Sequence, residues 1–237
     1  MERTVSVDVA ETPMEIYEVE PEGSARGAVI VIQEAFGITD HIKDVCKRFA
    51  GEGYRAVAPH LFHRSGDPVI GYDEMDKVVP HIMELNADNL LSDLDATLSY
   101  LADAGFEATQ VAVVGFCMGG SVVFLAAAKR SLGAAVTFYG GGVSQGRFGM
   151  PPLVELAADL KTPWLGLFGD RDQSIPVDDV EALRKAVAVA SVATEVIRYP
   201  EADHGFHCDA RSSYHQESAE DGWKRTLDWL ATHLSAR

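Results

Sequence analysis

Four runs of β-branched and small apolar residues constrain this chain more than any other feature: GAVIVIQ (27–33), VAVVG (111–115), AAVTFYG (134–140) and PWLGLFGD (163–170). Each is apolar without alternation, the pattern of a strand covered on both faces. Helix-like stretches separate them. One lies over 40–52. A long amphipathic one over 81–104 carries Leu90, Leu91, Leu94, Leu98 and Leu101 at helical spacing. Others are SVVFLAAAKR (121–130), VEALRKAVAVA (180–190) and a final helix ending near WKRTLDWLATHL (223–234). YRAVAP (54–59) and TEVIRYP (194–200) read as two further strands. Buried strands alternating with helices predict an α/β fold: a mostly parallel central sheet with helices on both faces. TVSVDV (4–9) and MEIYEV (14–19) alternate instead, so an antiparallel N-terminal start is expected. Residues 59–80, rich in His, Gly, Asp and Pro, read as an irregular excursion. No linker or repeat interrupts residues 1–237, which are read as a single domain.

Charge and cysteine usage then narrow the function. A formal charge of −16 repels phosphate backbones, which argues against a nucleic-acid partner. It also repels anionic substrates unless local cations correct the field. No segment approaches the roughly 20 apolar residues of a membrane-spanning helix. Three cysteines, Cys46, Cys117 and Cys208, are too few for a disulfide framework and suit a reducing, cytoplasmic setting. No G-x-G-x-x-G follows a strand and there is no C-x-x-C, so neither a dinucleotide cofactor nor dithiol redox chemistry is expected.

In sheets of this kind, sites collect at the carboxyl ends of the strands. Glu34, Cys117, Asp170 with Asp172, and His204 each fall just beyond one of the strands. The stretch G-F-C-M-G (115–119) has the form of a nucleophile elbow, G-x-S-x-G, with cysteine for serine. Gly115 and Gly119 relieve crowding around a tight strand-to-helix turn, and Gly120 lets the helix lie close to the sheet. The helix N-terminus then favours thiolate and developing negative charge. His204, in a loop after the last strand, is the candidate base; His207 is its rival. Either Asp170 or Asp172 is able to orient the imidazole. The order nucleophile, acid, base is that of α/β-hydrolases. Oxyanion donors are then expected from the backbone N–H groups of Met118 and Ala35. His204, His207, Cys208 and Asp209 also cluster as metal ligands do, but no second ligand group at zinc spacing accompanies them, so no metal is expected.

These motifs resemble the dienelactone hydrolase (carboxymethylenebutenolidase-like) family over about residues 12–232. The shared stretches are QEAFG (33–37), APHLF (58–62), GFCMGG (115–120), FYGGG (138–142), GDRDQSIP (169–176) and ADHGF (202–206). The resemblance implies a single α/β-hydrolase domain and a triad of Cys117, His204 and Asp172. It implies that Glu34 gates the thiol, touching it at rest and swinging away when substrate binds. The family grips a substrate carboxylate with arginines. One stands four residues after the catalytic histidine, where this chain has Cys208. Another lies before the long helix, where no arginine occurs between Arg64 and Arg130. Arg64, Lys77 or His207 is therefore expected as a substitute anchor, with Phe36, Tyr72, Tyr139, Trp164 and Phe206 as candidate apolar lining.

The expected activity is thiol-dependent hydrolysis of small esters or lactones through an acyl-enzyme, by a monomer or small homo-oligomer with no cofactor. The alternative is a hydrolase-like fold that binds a small ligand or partner without turnover.

Overall fold

The computed structural model describes residues 1–10 and 12–236. One sheet of eight strands organises them. The strands are β1 (Glu2–Val7), β2 (Met14–Val19), β3 (Ala28–Ile32), β4 (Arg55–Pro59), β5 (Val111–Phe116), β6 (Ala134–Phe138), β7 (Trp164–Gly169) and β8 (Thr194–Tyr199). Their spatial order is β1-β2-β4-β3-β5-β6-β7-β8. The pairs β1–β2 and β2–β4 are antiparallel and the other five are parallel. The mostly parallel sheet with an antiparallel start is thus as expected. All five residues of β3 and all six of β5 are buried, which explains their unbroken apolar character.

The chain leaves β3 toward β4 on one side, and β5 then returns to β3's other side. The order reverses there, so a crevice opens beyond the carboxyl ends of β3 and β5. Glu34 and Cys117 follow those two ends.

The described residues also form seven α-helices: α1 (Asp40–Gly51), α2 (Met75–Met83), α3 (Ala87–Asp103), α4 (Met118–Lys129), α5 (Leu153–Leu156), α6 (Val177–Val187) and α7 (Gln216–His233). Thr39 caps α1, and its buried face is His41, Ile42, Val45, Cys46, Phe49 and Ala50, at three- and four-residue spacing. The helix expected over 81–104 is instead two helices. Asn86 accepts a hydrogen bond from the Asn89 N–H at 2.9 Å and starts α3 afresh. Residues 75–83, expected to lie largely in irregular chain, form α2, which buries only Val78.

The 59–83 segment is held down by a few polar contacts. Asp93 of α3, fully buried, accepts both guanidinium nitrogens of Arg64 at 2.7 and 2.9 Å and meets His63 at 3.1 Å. His81 meets Ser65 at 2.8 Å. At the other end of the sheet, Glu18 of β2 is fully buried and accepts hydrogen bonds from Arg3, Arg55 and Tyr100. No helix among the described residues is long and apolar enough to cross a membrane.

Candidate active site

Cys117 sits at the turn between β5 and α4 with φ 56° and ψ −117°. A non-glycine residue adopts positive φ only where its surroundings impose it. Here they do. The Cys117 N–H donates to the Phe138 carbonyl at the end of β6, and the Gly120 N–H donates back to the Cys117 carbonyl. A Cβ on Gly115 would come within 2.4 Å of the Gly119 carbonyl oxygen. One on Gly119 would come within 2.5 Å of the Ile32 and Gln33 oxygens of the strand alongside. The elbow closes because both positions lack side chains. The same approach presses the N-terminus of α4, with its free N–H groups, against the end of β3.

His204 follows β8 and Asp172 follows β7, so adjacent strands deliver them together. His204 Nδ1 lies 2.6 Å from Asp172 Oδ2. The other carboxylate oxygen, Oδ1, accepts from the Ser174 N–H at 2.8 Å and its hydroxyl at 2.6 Å. Burial alone would raise the Asp172 pKa, but the hydrogen bonds from His204 and Ser174 outweigh it and hold it low. Burial likewise depresses His204. The charge of the Cys117 sulfur and the Asp172 hydrogen bond more than reverse that and raise it to about 10. Asp170, the other candidate acid, is turned away. It pairs with Arg198 of β8 through both oxygens, at 2.7 and 2.8 Å.

Glu34 is fully buried just beyond β3. Its Oε1 accepts from Arg211 Nη1 at 3.3 Å, and its Oε2 has no hydrogen-bond partner among the described residues. The contact expected with the thiol at rest is therefore replaced here by one with a guanidinium. Burial would lower the Arg211 pKa, but Glu34 first and Cys117 next raise it. Its guanidinium lies 5.8 Å from the Phe36 ring centre and 5.7 Å from that of Tyr72. It also packs on Gly205, where a Cβ would come within 2.5 Å of Nη1. Tyr139, with φ 39°, sets its ring 5.1 Å from the His204 ring, and its buried hydroxyl has no hydrogen-bond partner among the described residues.

Arg211 was missed by sequence reasoning. It stands seven residues after His204, and the family offset of four points to Cys208 instead. Successive turns, with the Cys208 N–H on the Gly205 carbonyl and the Arg211 N–H on the Cys208 carbonyl, curl the chain back. The only signal was that Arg211 is the first arginine after the candidate base. Ser174 was passed over, and Tyr72, expected only as apolar lining, also presents its hydroxyl to Thr39 and Cys208. Trp164 is fully buried in β7 and donates to Thr137 rather than lining the crevice.

The expected substitute anchors are elsewhere. Arg64 is consumed by Asp93, and Lys77 pairs with Glu74 on the exposed flank of α2. His207 is buried between Phe116, Phe138, His41 and Trp223, and burial drives its pKa well down. Phe206 is fully buried beneath Tyr139 and Tyr199 rather than lining the crevice. Phe36 is 2% exposed and reaches the site through Tyr72 and Arg211. Ala35 and Met118 are both buried directly after Glu34 and Cys117. Cys208 is buried, and its thiol donates to the Tyr72 hydroxyl at 3.3 Å.

Comparison with known proteins finds the same fold in one family. A Yersinia pestis protein bearing the provisional name carboxymethylenebutenolidase is 40% identical over 235 residues, which span 98% of this chain and 88% of that one. An Escherichia coli K12 protein with the same provisional name is 40% identical over 92% of this chain and 82% of its own. A crystal structure from Klebsiella pneumoniae, provisionally described as a dienelactone hydrolase, superposes with a TM-score of 0.90 at 40% identity, covering 98% of both chains. The sequence profile of the dienelactone hydrolase family matches residues 14–234. With an eight-stranded sheet of the same fold and an elbow cysteine at its centre, the chain belongs to the dienelactone hydrolase family.

Proposed function

We propose that this protein hydrolyses small activated esters or lactones through a Cys117 thioester, with His204 and Asp172 completing a triad within a single domain. The observation that carries the proposal is the coupling of His204 to both partners: Asp172 at 2.6 Å on Nδ1, and a sulfur whose charge helps to raise the imidazole to about 10. An imidazolium and the α4 N-terminus both bring positive potential to the sulfur's side of the crevice, where negative charge develops in the reaction.

In the proposed cycle the Cys117 sulfur adds to the carbonyl carbon, and the C=O electron pair moves to oxygen. The N–H groups of Ala35 and Met118 receive that oxyanion, each donor contributing ~3 kcal/mol in the transition state. The tetrahedral species collapses, the C–O bond to the leaving oxygen breaks, and the His204 imidazolium supplies that oxygen with its proton. Water then attacks the thioester and gives a proton to His204, and Cys117 departs as thiolate. Asp172 keeps the imidazole in the correct tautomer throughout.

Arg211 is proposed as the anchor for a substrate carboxylate, in place of Arg64, Lys77 or His207. It is the cation that the Cys117 sulfur itself influences, in a protein otherwise strongly anionic. Glu34 holds it until a substrate carboxylate competes for the guanidinium, and so gates the site through Arg211. Three free cysteines, two of them buried, suit a reducing compartment such as the cytoplasm.

The test is a screen of small aryl esters and lactones, with and without a carboxylate, before and after iodoacetamide. Steady-state turnover lost on alkylation supports the thiol mechanism. Full activity after complete alkylation of Cys117 removes it, and stoichiometric uptake without turnover would make the protein a binder.

A further inference from the structure

Beside Tyr72, whose hydroxyl accepts from the Cys208 thiol, the loop after β8 meets the first turn of α1. There His41, Cys208 and Asp209 bring an imidazole nitrogen, a thiol sulfur and a carboxylate oxygen within 4.8 Å of one another. His41 is only 7% exposed, and its Nε2 has no hydrogen-bond partner among the described residues. The neighbouring His207 ring meets it edge to face at 5.5 Å, and both of its nitrogens are likewise unpartnered. Buried ring nitrogens are normally satisfied, so three orphans in one place call for an occupant. A cavity of about 60 Å³ lies against them, lined also by Asp44, Arg48 and Glu220. With Asp209 it holds three carboxylates against one guanidinium, which favours a cation.

We propose that His41, Cys208 and Asp209 form a binding site for a thiophilic divalent metal of the zinc class. The mixed sulfur, nitrogen and oxygen donors select against Mg²⁺ and Ca²⁺, which take oxygen alone. Three protein ligands leave a fourth tetrahedral position for water, and the cavity has room for one. As the metal–sulfur bond forms, the Cys208 proton leaves to solvent. Thiolate and Asp209 carboxylate then balance the two positive charges. His41 stands on a regular helix, and Cys208 and Asp209 are consecutive, so only one chain segment must adjust. The set is invisible to motif spacing because His41 lies far upstream of the other two. Bound metal ties α1 to the loop that carries His204 and Arg211. The site has its own thiol and does not depend on the hydrolase reading.

The experiment uses full-length protein, wild type and Cys117→Ser, stripped with chelator and titrated with Co²⁺ as a spectroscopic stand-in for Zn²⁺. The expected result is a thiolate-to-Co²⁺ charge-transfer absorption that saturates at one equivalent in both proteins and disappears when Zn²⁺ is added. Cys208→Ser abolishes that band. Asp209→Asn, a surface change that the fold tolerates, weakens Co²⁺ binding by more than about tenfold, the least expected even for an outer partner of a metal. Absence of the band, its persistence in Cys208→Ser, or its loss in Cys117→Ser overturns the proposal. The last outcome would put the metal on the elbow thiol instead.

Discussion

Glu34 and Arg211 meet at 3.3 Å across 177 residues of sequence, and the glutamate half of the pair is fully buried. The guanidinium is partly accessible and stands beside the crevice. The pair therefore joins a group that is unable to reach water to one that is able to reach a ligand.

Removing the cation leaves that carboxylate buried and alone. Arg211→Ala is expected to destabilise the protein by about 3 kcal/mol, the lower range for breaking a buried pair. Adding Glu34→Gln to Arg211→Ala is expected to recover most of this, seen as a return of the urea midpoint. If Arg211 also anchors a carboxylate, Arg211→Lys raises KM for a carboxylate-bearing ester far more than for a neutral one, because an ammonium does not reproduce a bidentate fork. Equal effects on both esters would count against the anchor.

Asp172→Asn tests orientation of the imidazole. Ser174 still has an acceptor on Oδ1 in the variant, so the turn after β7 is expected to survive. The amide favours the wrong tautomer of His204, and kcat is expected to fall by roughly 10⁴-fold, as for the equivalent change in other triads. A loss confined to KM would deny Asp172 that role.

Stability should carry the signature of the coupled pair. The His204 pKa lies above its unfolded value, so its contribution is complete below about pH 6.5. It is lost as pH rises toward its folded value of about 10. The Asp172 pKa is lowered, so its contribution is present above the unfolded carboxylate range and lost as pH falls below that range. Urea midpoints measured from pH 6.5 to 10 should decline in the wild type. Cys117→Ser, which removes the sulfur charge, should flatten that decline. Identical slopes in the two proteins would contradict the coupling.

The elbow's backbone gives a separate handle. Cys117 holds φ at 56°, a conformation that costs a side-chain-bearing residue about 1 kcal/mol or more. Cys117→Gly and Cys117→Ala should both lose esterase activity by on the order of 10³-fold or more. Cys117→Gly should nevertheless melt higher than Cys117→Ala, because only glycine escapes the strain. Gly119→Ala should melt lower than either, since its new Cβ meets two carbonyl oxygens at 2.5 Å.

The sheet and the elbow were legible because each rests on a local pattern. GAVIVIQ and VAVVG announce buried strands by composition, and the glycines around Cys117 announce a turn by spacing. The choice of Asp172 over Asp170 was not legible from position, since both follow β7; Arg198 on the next strand separates them. Arg211 was hidden because two successive turns between Gly205 and Arg211 shift it off the expected offset. The break between α2 and α3 was hidden by leucines whose helical spacing runs up to a cap at Asn86 that only local backbone geometry reveals. Arg64 and Lys77 were misjudged because charge alone does not say which acidic neighbour already holds a cation.

The reversal of strand order between β3 and β5 has a consequence for how the protein comes of age. Glu34 and Cys117 are neighbours only once strands separated by some eighty residues have aligned, and His204 joins them only when β8 is docked on the edge. A half-made chain has the position-117 thiol without its proposed partners. On the proposed mechanism its activation waits for the last strand, so the rate at which Cys117 is alkylated is expected to report when the whole sheet is complete.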